Sequence, residues 1–407
     1  MKDYRTKKRQ REMTILCFVL FFEYINYFVH TAFAVLRLPN ALTTEAMLIT
    51  QLLAVTYIAY THRNRLAVAL GLPVVICILY AFTLLIVFDG YRYISQNITE
   101  KLLLYCIPVY LCVFLIEDYS LLYPTLNKFC VFILLGEIVA IFLQTTGSAY
   151  FVQTDYQGIS YGLMIPFVFF VCNPSRSTLG IAGAVVAFLL MLFFGGRGPI
   201  ICAVFCVLYK LRLQSKRNNL WFVVLVAAGA MLVLGYNSII NWVITVSHNR
   251  GFGGSIVKYN SLGDVFSDSG RSNILKTALE IIDDRLFLGY GLGADRYYMG
   301  VYGFKYGNYP HNILLEFMIH FGAVVGSVLF LVLLYNIFRT VQRRVYSKEL
   351  YTIFEICFMS TGFLILLFSV SYLISPLFYA MVAVMGKMKA PQKRSGIYEE
   401  NWNSNLS

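Results

Sequence analysis

Apolar residues in this chain fall in long unbroken runs. They neither alternate as in a half-buried strand nor recur every three to four positions as on a soluble amphipathic helix. Runs long enough to cross a membrane occupy residues 13–36, 45–61, 66–88, 102–116, 128–144, 159–173, 178–194, 199–212, 220–236, 311–338, 351–370 and 372–386. A helix of roughly 20 apolar residues spans the hydrocarbon core of a bilayer, so the pattern predicts an all-α polytopic membrane protein of about twelve transmembrane helices. One connection breaks the rhythm. Residues 237–310 are polar, glycine-rich and far longer than the usual few-residue link between helices.

The chain therefore divides into four parts: an N-terminal bundle of about nine helices over 1–236, a large loop over 237–310, C-terminal helices over 311–386 and a tail over 387–407. Within the loop, Ser272 to Arg285 reads as a helix. Ile274, Leu275, Ala278, Leu279, Ile281 and Ile282 form its apolar face, against Lys276, Glu280 and Asp283. Such a helix lies on the outer leaflet or caps the bundle.

Composition agrees with a lipid environment. Only 13% of the residues are charged and 58% are hydrophobic, with a mean hydropathy of +0.67; a soluble domain is nearer 25% charged. No separate soluble catalytic domain fits. The net charge of +12 would suit nucleic acid only if the basic residues shared one accessible surface. They sit instead between apolar runs, as orientation signals do. With the N-terminus inside, segments 1–12, 62–65, 117–128, 174–177, 210–219, 339–350 and 387–407 are cytoplasmic and hold 22 of the 33 Lys and Arg, which sets the orientation. Both termini are then cytoplasmic and the large loop lies outside. The basic N-terminus runs into a full-length span without a small-residue cleavage site, which predicts a retained first helix. All nine cysteines lie in apolar runs, so they read as packing residues and indicate neither disulfides nor zinc.

Candidate chemistry gathers on the outer face. Gly195-Gly196-Arg197-Gly198-Pro199 reads as a hairpin, with Pro199 in the first turn of the next helix. Arg197 beside free helix N–H groups makes an anion site suited to phosphate, although an arginine snorkelling to headgroups has the same pattern. Gly270-Arg271-Ser272 repeats the theme, with Ser272 as a cap; an exposed loop arginine is the plainer reading. Leu288-Gly289-Tyr290-Gly291-Leu292-Gly293 looks superficially like a dinucleotide fingerprint, but no strand precedes it, and a tight turn that re-aims the loop is the better reading. Tyr309-Pro310-His311-Asn312 opens the next span. It places Pro310 and His311 in the first helical turn, where the helix dipole lowers the imidazole pKa and favours a neutral base. An interfacial anchor is the alternative for His311, and His248 in the loop is the alternative base.

Ionisable residues also fall within spans: Glu23, His30, Glu137, Glu316, His320 and Glu355. These read as structural, with Glu316 and His320 four apart and able to satisfy each other. Nothing matches a metal cage, a Ser-His-Asp triad or a Walker loop. No internal repeat is visible, which argues against a transporter built on inverted halves. A flippase would also line a central cavity with charge, not one membrane face.

The order of these features resembles the superfamily of Wzy-type polysaccharide polymerases and O-antigen ligases: a GGRG hairpin, a long outer loop, Gly-Arg opening a helix, the LGYGLG turn and His-Asn at the next span. Gly270 to Gly322 carries most of the likeness. The resemblance implies a GT-C-like glycosyltransferase that works on glycans carried by undecaprenyl diphosphate at the outer face of the bacterial cytoplasmic membrane, with no metal or other cofactor. A chain-length regulator and a flippase of the same pathway are the implied partners, beside membrane lipids. Arg197 and Arg271 fall on the family's diphosphate-binding arginines and His311 on the histidine that activates the acceptor hydroxyl. Arg296 is added as a further diphosphate contact. Polymerase and ligase share this site and differ in the acceptor. Overall similarity and the tyrosines from Tyr297-Tyr298 to Tyr309, suited to stacking on sugars, favour the polymerase.

Overall fold

The computed structural model describes residues 2–35, 40–145, 156–172, 178–194, 197–214, 271–343 and 347–389. Among these residues all regular structure is helical. Helices α1 (Lys2–Leu20) and α2 (Phe22–Val35) meet at a 76° bend, so the apolar run 13–36 is not one straight span. The bend contains neither proline nor glycine. Aromatic packing lines it: the Phe18 and Phe22 rings meet edge-on at 5.6 Å, and Phe22 lies 5.3 Å from Tyr105.

Next come α3 (Asn40–Thr61) and α4 (Arg63–Ile86). Helix α5 (Tyr91–Glu100) continues through a π-helical turn, Lys101–Cys106, into α6 (Ile107–Leu115). Pro108 at the start of α6 has no N–H for the Leu104 carbonyl, and the Gln51 side chain supplies one across the bundle at 2.6 Å. The rest of the first half is α7 (Leu122–Thr145), α8 (Tyr156–Cys172), α9 (Thr178–Phe194) and α10 (Arg197–Gln214). The run 220–236 and most of the large loop lie outside the described residues.

In the C-terminal part, α11 (Arg271–Asp283) and α12 (Asp295–Val301) belong to the large loop. The predicted span 311–338 is two helices, α13 (Ile313–Phe321) and α14 (Ala323–Gln342), divided at Gly322. Gly322 has φ +88, and a Cβ there would lie 2.5 Å from the Phe287 carbonyl, so only glycine fits this corner. The predicted span 351–370 also departs from a helix. Helix α15 (Lys348–Met359) ends halfway, and residues 360–375 run irregularly through two short 3-10 turns to α16 (Pro376–Lys389). Irregular backbone at membrane depth persists only where protein covers it. Here Ser360, Ile365, Leu366, Ser371, Tyr372 and Leu373 are all buried.

Helix α16 packs against α6 and α15, and α8 sits among α7, α9 and α10. Their shared core includes Leu115, Met164, Val168, Phe169, Ala380 and Val384. All nine cysteines are unpaired, and apart from Cys77 all are buried. The outward faces of α4 and α14 carry Val74, Ile78, Phe82 and Leu85, and Val328, Leu331, Tyr335 and Phe338, all exposed. Apolar faces of that extent suit lipid and not water. Among the described residues, four helices qualify as spans by length and composition, or five if the bent α1–α2 pair counts as one, with four shorter apolar helices beside them. The protein is an integral, helical membrane protein.

Basic segments meet at one end of the bundle. Arg9 pairs with Asp118 at 2.6 Å, Arg65 with Glu117 at 2.7 Å, and Arg343 donates to the Met388 carbonyl at 2.8 Å. Lys387 donates to the carbonyls of Val113 and Ile116. Helix α4 leaves this end at Arg63 and, about 36 Å on at 1.5 Å per residue, delivers the 88–90 turn to the loop helices, where Gly90 abuts the Tyr297 ring.

Candidate active site

His311 occupies the connection before α13 and not its first turn as the sequence predicts. Asn312 is the true cap: its Oδ1 accepts from the backbone N–H groups of Leu314 at 3.0 Å and Leu315 at 3.2 Å. Its Nδ2 donates to the Leu367 carbonyl at 2.8 Å, which ties the cap to the irregular segment. His311 takes φ +56, and among the described residues no other non-glycine has a positive φ. Backbone in that region is strained for an L residue and is held only by what surrounds it.

Two contacts orient the imidazole. Nδ1 lies 2.7 Å from the Ser369 carbonyl, and the ring sits 4.1 Å from that of Tyr309. A carbonyl only accepts, so Nδ1 carries the hydrogen, and Nε2 of the neutral ring keeps a lone pair. Burial pushes the His311 pKa below its ordinary value; the Ser369 carbonyl opposes this, while the charges of Arg271 and Arg296 add to it against that of Asp295. The direction is the expected one, with burial as its largest cause and the neighbouring cations adding to it.

The other sequence candidates converge here from separate elements. Arg271 opens α11 and is exposed, and its charge reaches His311. Because α11 starts at Arg271, Ser272 sits inside the first turn and not before it. Arg197 opens α10 by its backbone; its side chain lies outside the described residues, as do Gly195, Gly196, His248 and Gly270. Gly198 still locates the start of α10. A Cβ added there would come within 2.9 Å of the Phe368 ring and 3.9 Å of the Tyr161 hydroxyl. Tyr161 on α8 in turn lies 2.5 Å from the Ser369 hydroxyl. The start of α10 thus abuts the segment that holds His311.

Arg296, added in the sequence reading as a further diphosphate contact, lies inside the protein. It is 1% exposed, paired through Nη1 with Asp295, and stacked 4.5 Å from the Tyr309 ring. Burial would raise the pKa of Asp295, but Arg296 and His320 outweigh it and hold the carboxyl below its usual range. Burial likewise works against the Arg296 charge, and the acids Asp295 and Glu316 more than compensate.

Glu316 and His320 do not pair with each other, contrary to the expectation from their spacing. Glu316 accepts from the Ser371 hydroxyl at 2.6 Å. His320 donates from Nε2 to Asp295 at 2.9 Å, and its Nδ1 lies 2.7 Å from the Tyr372 hydroxyl. Elsewhere Glu23 pairs with Lys101 at 2.5 Å, His30 lies against Thr43 and Thr44, and Glu355 lies 4.0 Å from Lys210.

The glycine-rich segment is a turn. Gly291 and Gly293 have φ +98 and +82, and the N–H groups of Tyr290 and Gly291 donate to the carbonyls of Ile319 and His320 at the end of α13. This clip delivers Asp295 and Arg296 beneath the site. Helix α11 packs on α12 and α13 through Ile274, Ala278, Ile281 and Ile282, leaving Leu275 and Leu279 exposed. It therefore caps the bundle with part of its expected apolar face. An aromatic cluster lies alongside: Tyr93 stacks on Tyr306 at 4.5 Å, with Tyr297 5.8 Å from Tyr306.

Asp295, Ser369 and Tyr161 were not singled out as site residues in the sequence, and Tyr309 was read as a sugar-stacking ring and not as a wall beside His311. Asp295 adjoins the glycine turn and Tyr309 adjoins His311, so proximity to motifs was a usable signal for those two. Ser369 contributes a backbone carbonyl, which no residue identity encodes.

Residues 161–331 match the family model described as O-antigen ligase. The matched stretch runs from Tyr161 to Leu331. It contains the hairpin, α11, the glycine turn and His311, and it stops short of Ser369. It supports the O-antigen ligase/polymerase superfamily, a membrane-associated group of glycosyl-transferring enzymes. No curated protein matches the chain.

Proposed function

We propose that the protein polymerises undecaprenyl-diphosphate-linked oligosaccharide repeat units into O-antigen, capsule or exopolysaccharide at the outer face of the cytoplasmic membrane. The observation that carries this reading is His311: a half-buried imidazole, held by the Ser369 carbonyl so that Nε2 keeps its lone pair, within reach of the Arg271 charge. A base beside cations matches transfer from a diphosphate carrier. Nε2 takes the proton from an acceptor sugar hydroxyl, and that oxygen attacks the anomeric carbon of the donor. The bond from that carbon to the diphosphate oxygen breaks, and undecaprenyl diphosphate leaves with the electron pair.

Arg271 and Arg197, each opening a helix, stabilise the leaving diphosphate with their side chains and nearby helix N–H groups, in place of a metal. The distribution of charge supports this orientation: the basic segments gather at one end of the bundle and His311 lies toward the other. The partly exposed tyrosines Tyr93 and Tyr306 offer a surface for sugars close to the loop.

The ligase reading has one observation in its favour, the description of the matched family. It keeps the same donor site and changes the acceptor. Purified protein mixed with lipid-linked repeat units decides between them, with products resolved by size. A ladder is expected. No extension until a second kind of acceptor is added would establish the ligase. Arg197→Ala, Arg271→Ala and His311→Ala should each leave an inserted protein that makes no polymer, and wild-type polymer in all three would remove the site assignment.

A further inference from the structure

Four ionisable side chains meet out of contact with solvent beneath the site, and none of them has a role in the transfer chemistry above. Asp295, Arg296, Glu316 and His320 are all buried, although each comes from a polar residue that is costly to take out of water. Arg296 is enclosed on both sides, by Asp295 and by the face of Tyr309, so it has no open route to a diphosphate.

We propose that Arg296 is a positioning residue for His311: it acts through the Tyr309 ring and is itself held by Asp295 and His320. The inference rests on the transfer reaction proposed above. Its geometry is continuous. The guanidinium lies 4.5 Å from the Tyr309 ring centre, and that ring lies 4.1 Å from the His311 ring. The Arg296 carbonyl also accepts the Gly307 N–H at 2.7 Å, so the chain leading to His311 is tied to Arg296 by backbone and by ring.

Behind the guanidinium, Asp295 accepts from His320, which contacts the Tyr372 hydroxyl. Glu316 lies 4.0 Å from Arg296 and accepts from Ser371. Ser371 and Tyr372 follow closely on Ser369, whose carbonyl holds the other side of the imidazole. One buried network therefore fixes both walls of the slot in which His311 sits. This is how a residue at φ +56 keeps a single ring orientation.

The groups facing His311 are Tyr309, Arg296 and Asp295 from the loop and α12, and Arg271 from α11. The test compares Arg296→Met, Arg296→Lys, Tyr309→Leu and Tyr309→Phe in the full-length protein in detergent. Two readouts are taken. One is extension of lipid-linked repeat units. The other is carbethoxylation of His311 by diethyl pyrocarbonate across pH, read by peptide mass spectrometry, because this reagent attacks the unprotonated imidazole.

Tyr309→Phe keeps the ring and should lose less transfer than Tyr309→Leu, and Arg296→Lys less than Arg296→Met. Arg296→Met and Tyr309→Leu should each lose transfer by about tenfold to 100-fold, the scale of a small misplacement of a catalytic group. Arg296→Met, which removes a cation that disfavours protonation, should also move the His311 carbethoxylation midpoint to higher pH, and the double variant should be no worse than either single. Wild-type transfer in Arg296→Met or Tyr309→Leu would overturn the proposal. So would lost transfer with an unchanged midpoint in Arg296→Met. If Arg296→Met fails to fold, the two Tyr309 variants decide. A wild-type protein that extends no glycan, with the midpoint still shifted in Arg296→Met, removes the transfer reaction and leaves the positioning role standing.

Discussion

The two ends of the bundle handle charge in opposite ways. At the basic end, Arg9–Asp118 and Arg65–Glu117 are single pairs between half-exposed side chains. At the other end, Asp295, Arg296, Glu316 and His320 are buried and share partners. Exposed pairs contribute little, because water and salt screen them and long side chains lose entropy when ordered. A buried network is different: removing one member strands the others in a low-dielectric surrounding. Charge at the basic end is open to water, whereas charge at the site end is enclosed and shared among neighbours.

Substitutions can break this contrast, and their effects should fall in a definite order. His311→Ala removes the base and should reduce transfer by about 100- to 10,000-fold, measured as polymer formed from lipid-linked repeat units. The protein should still purify as a folded species. Asp295→Ala should come next, because it leaves the Arg296 cation buried without its acid. The loss should be about 3–5 kcal/mol, seen as a lower melting temperature in detergent.

Gly322→Ala forces a Cβ against the Phe287 carbonyl at φ +88 and should cost about 1–3 kcal/mol in the same assay. A neutral result would mean that the α13–α14 corner can relax.

The pH dependence sharpens the electrostatic half of the comparison. In the proposed reaction His311 is the base and must be deprotonated, and its pKa lies below the ordinary value. Activity should therefore rise with pH, with its acid-side midpoint below about 6.5. Arg271→Gln removes a cation that disfavours protonation, so that midpoint should move upward, and a downward move would contradict the geometry. The smallest effect belongs to the basic end. Arg65→Ala should change stability by about 1 kcal/mol or less, and a loss as large as that of Asp295→Ala would erase the distinction.

Much was legible in the apolar pattern. The runs at 45–61, 66–88, 159–173 and 178–194 correspond closely to α3, α4, α8 and α9, because a helix in a membrane bundle is apolar over nearly its whole length whether it faces lipid or, like α8, its neighbours. Arg271 and His311 were legible as candidates, since an arginine next to glycine and a histidine before a span stand out against an apolar background; their roles belong to the proposed reaction. The failures have a common cause. The runs 311–338 and 351–370 look like helices because a buried irregular segment is as apolar as a helix. Only the glycine corner at 322 and the protein packed over 360–375 distinguish them.

The sequence by itself determined that the chain lives in a membrane, where most of its helices lie, that its one long loop is polar and which ionisable residues flank that loop. Those properties depend on composition and on neighbours along the chain. The tertiary structure alone decided the partners. Glu316 finds Ser371, His320 finds Asp295, and His311 finds a backbone carbonyl at Ser369, each 25 or more residues away. Spacing on one helix paired Glu316 with His320, and three-dimensional packing overruled it. Burial makes an unpaired polar group costly whatever its position in the chain, so the partner is chosen by proximity in space.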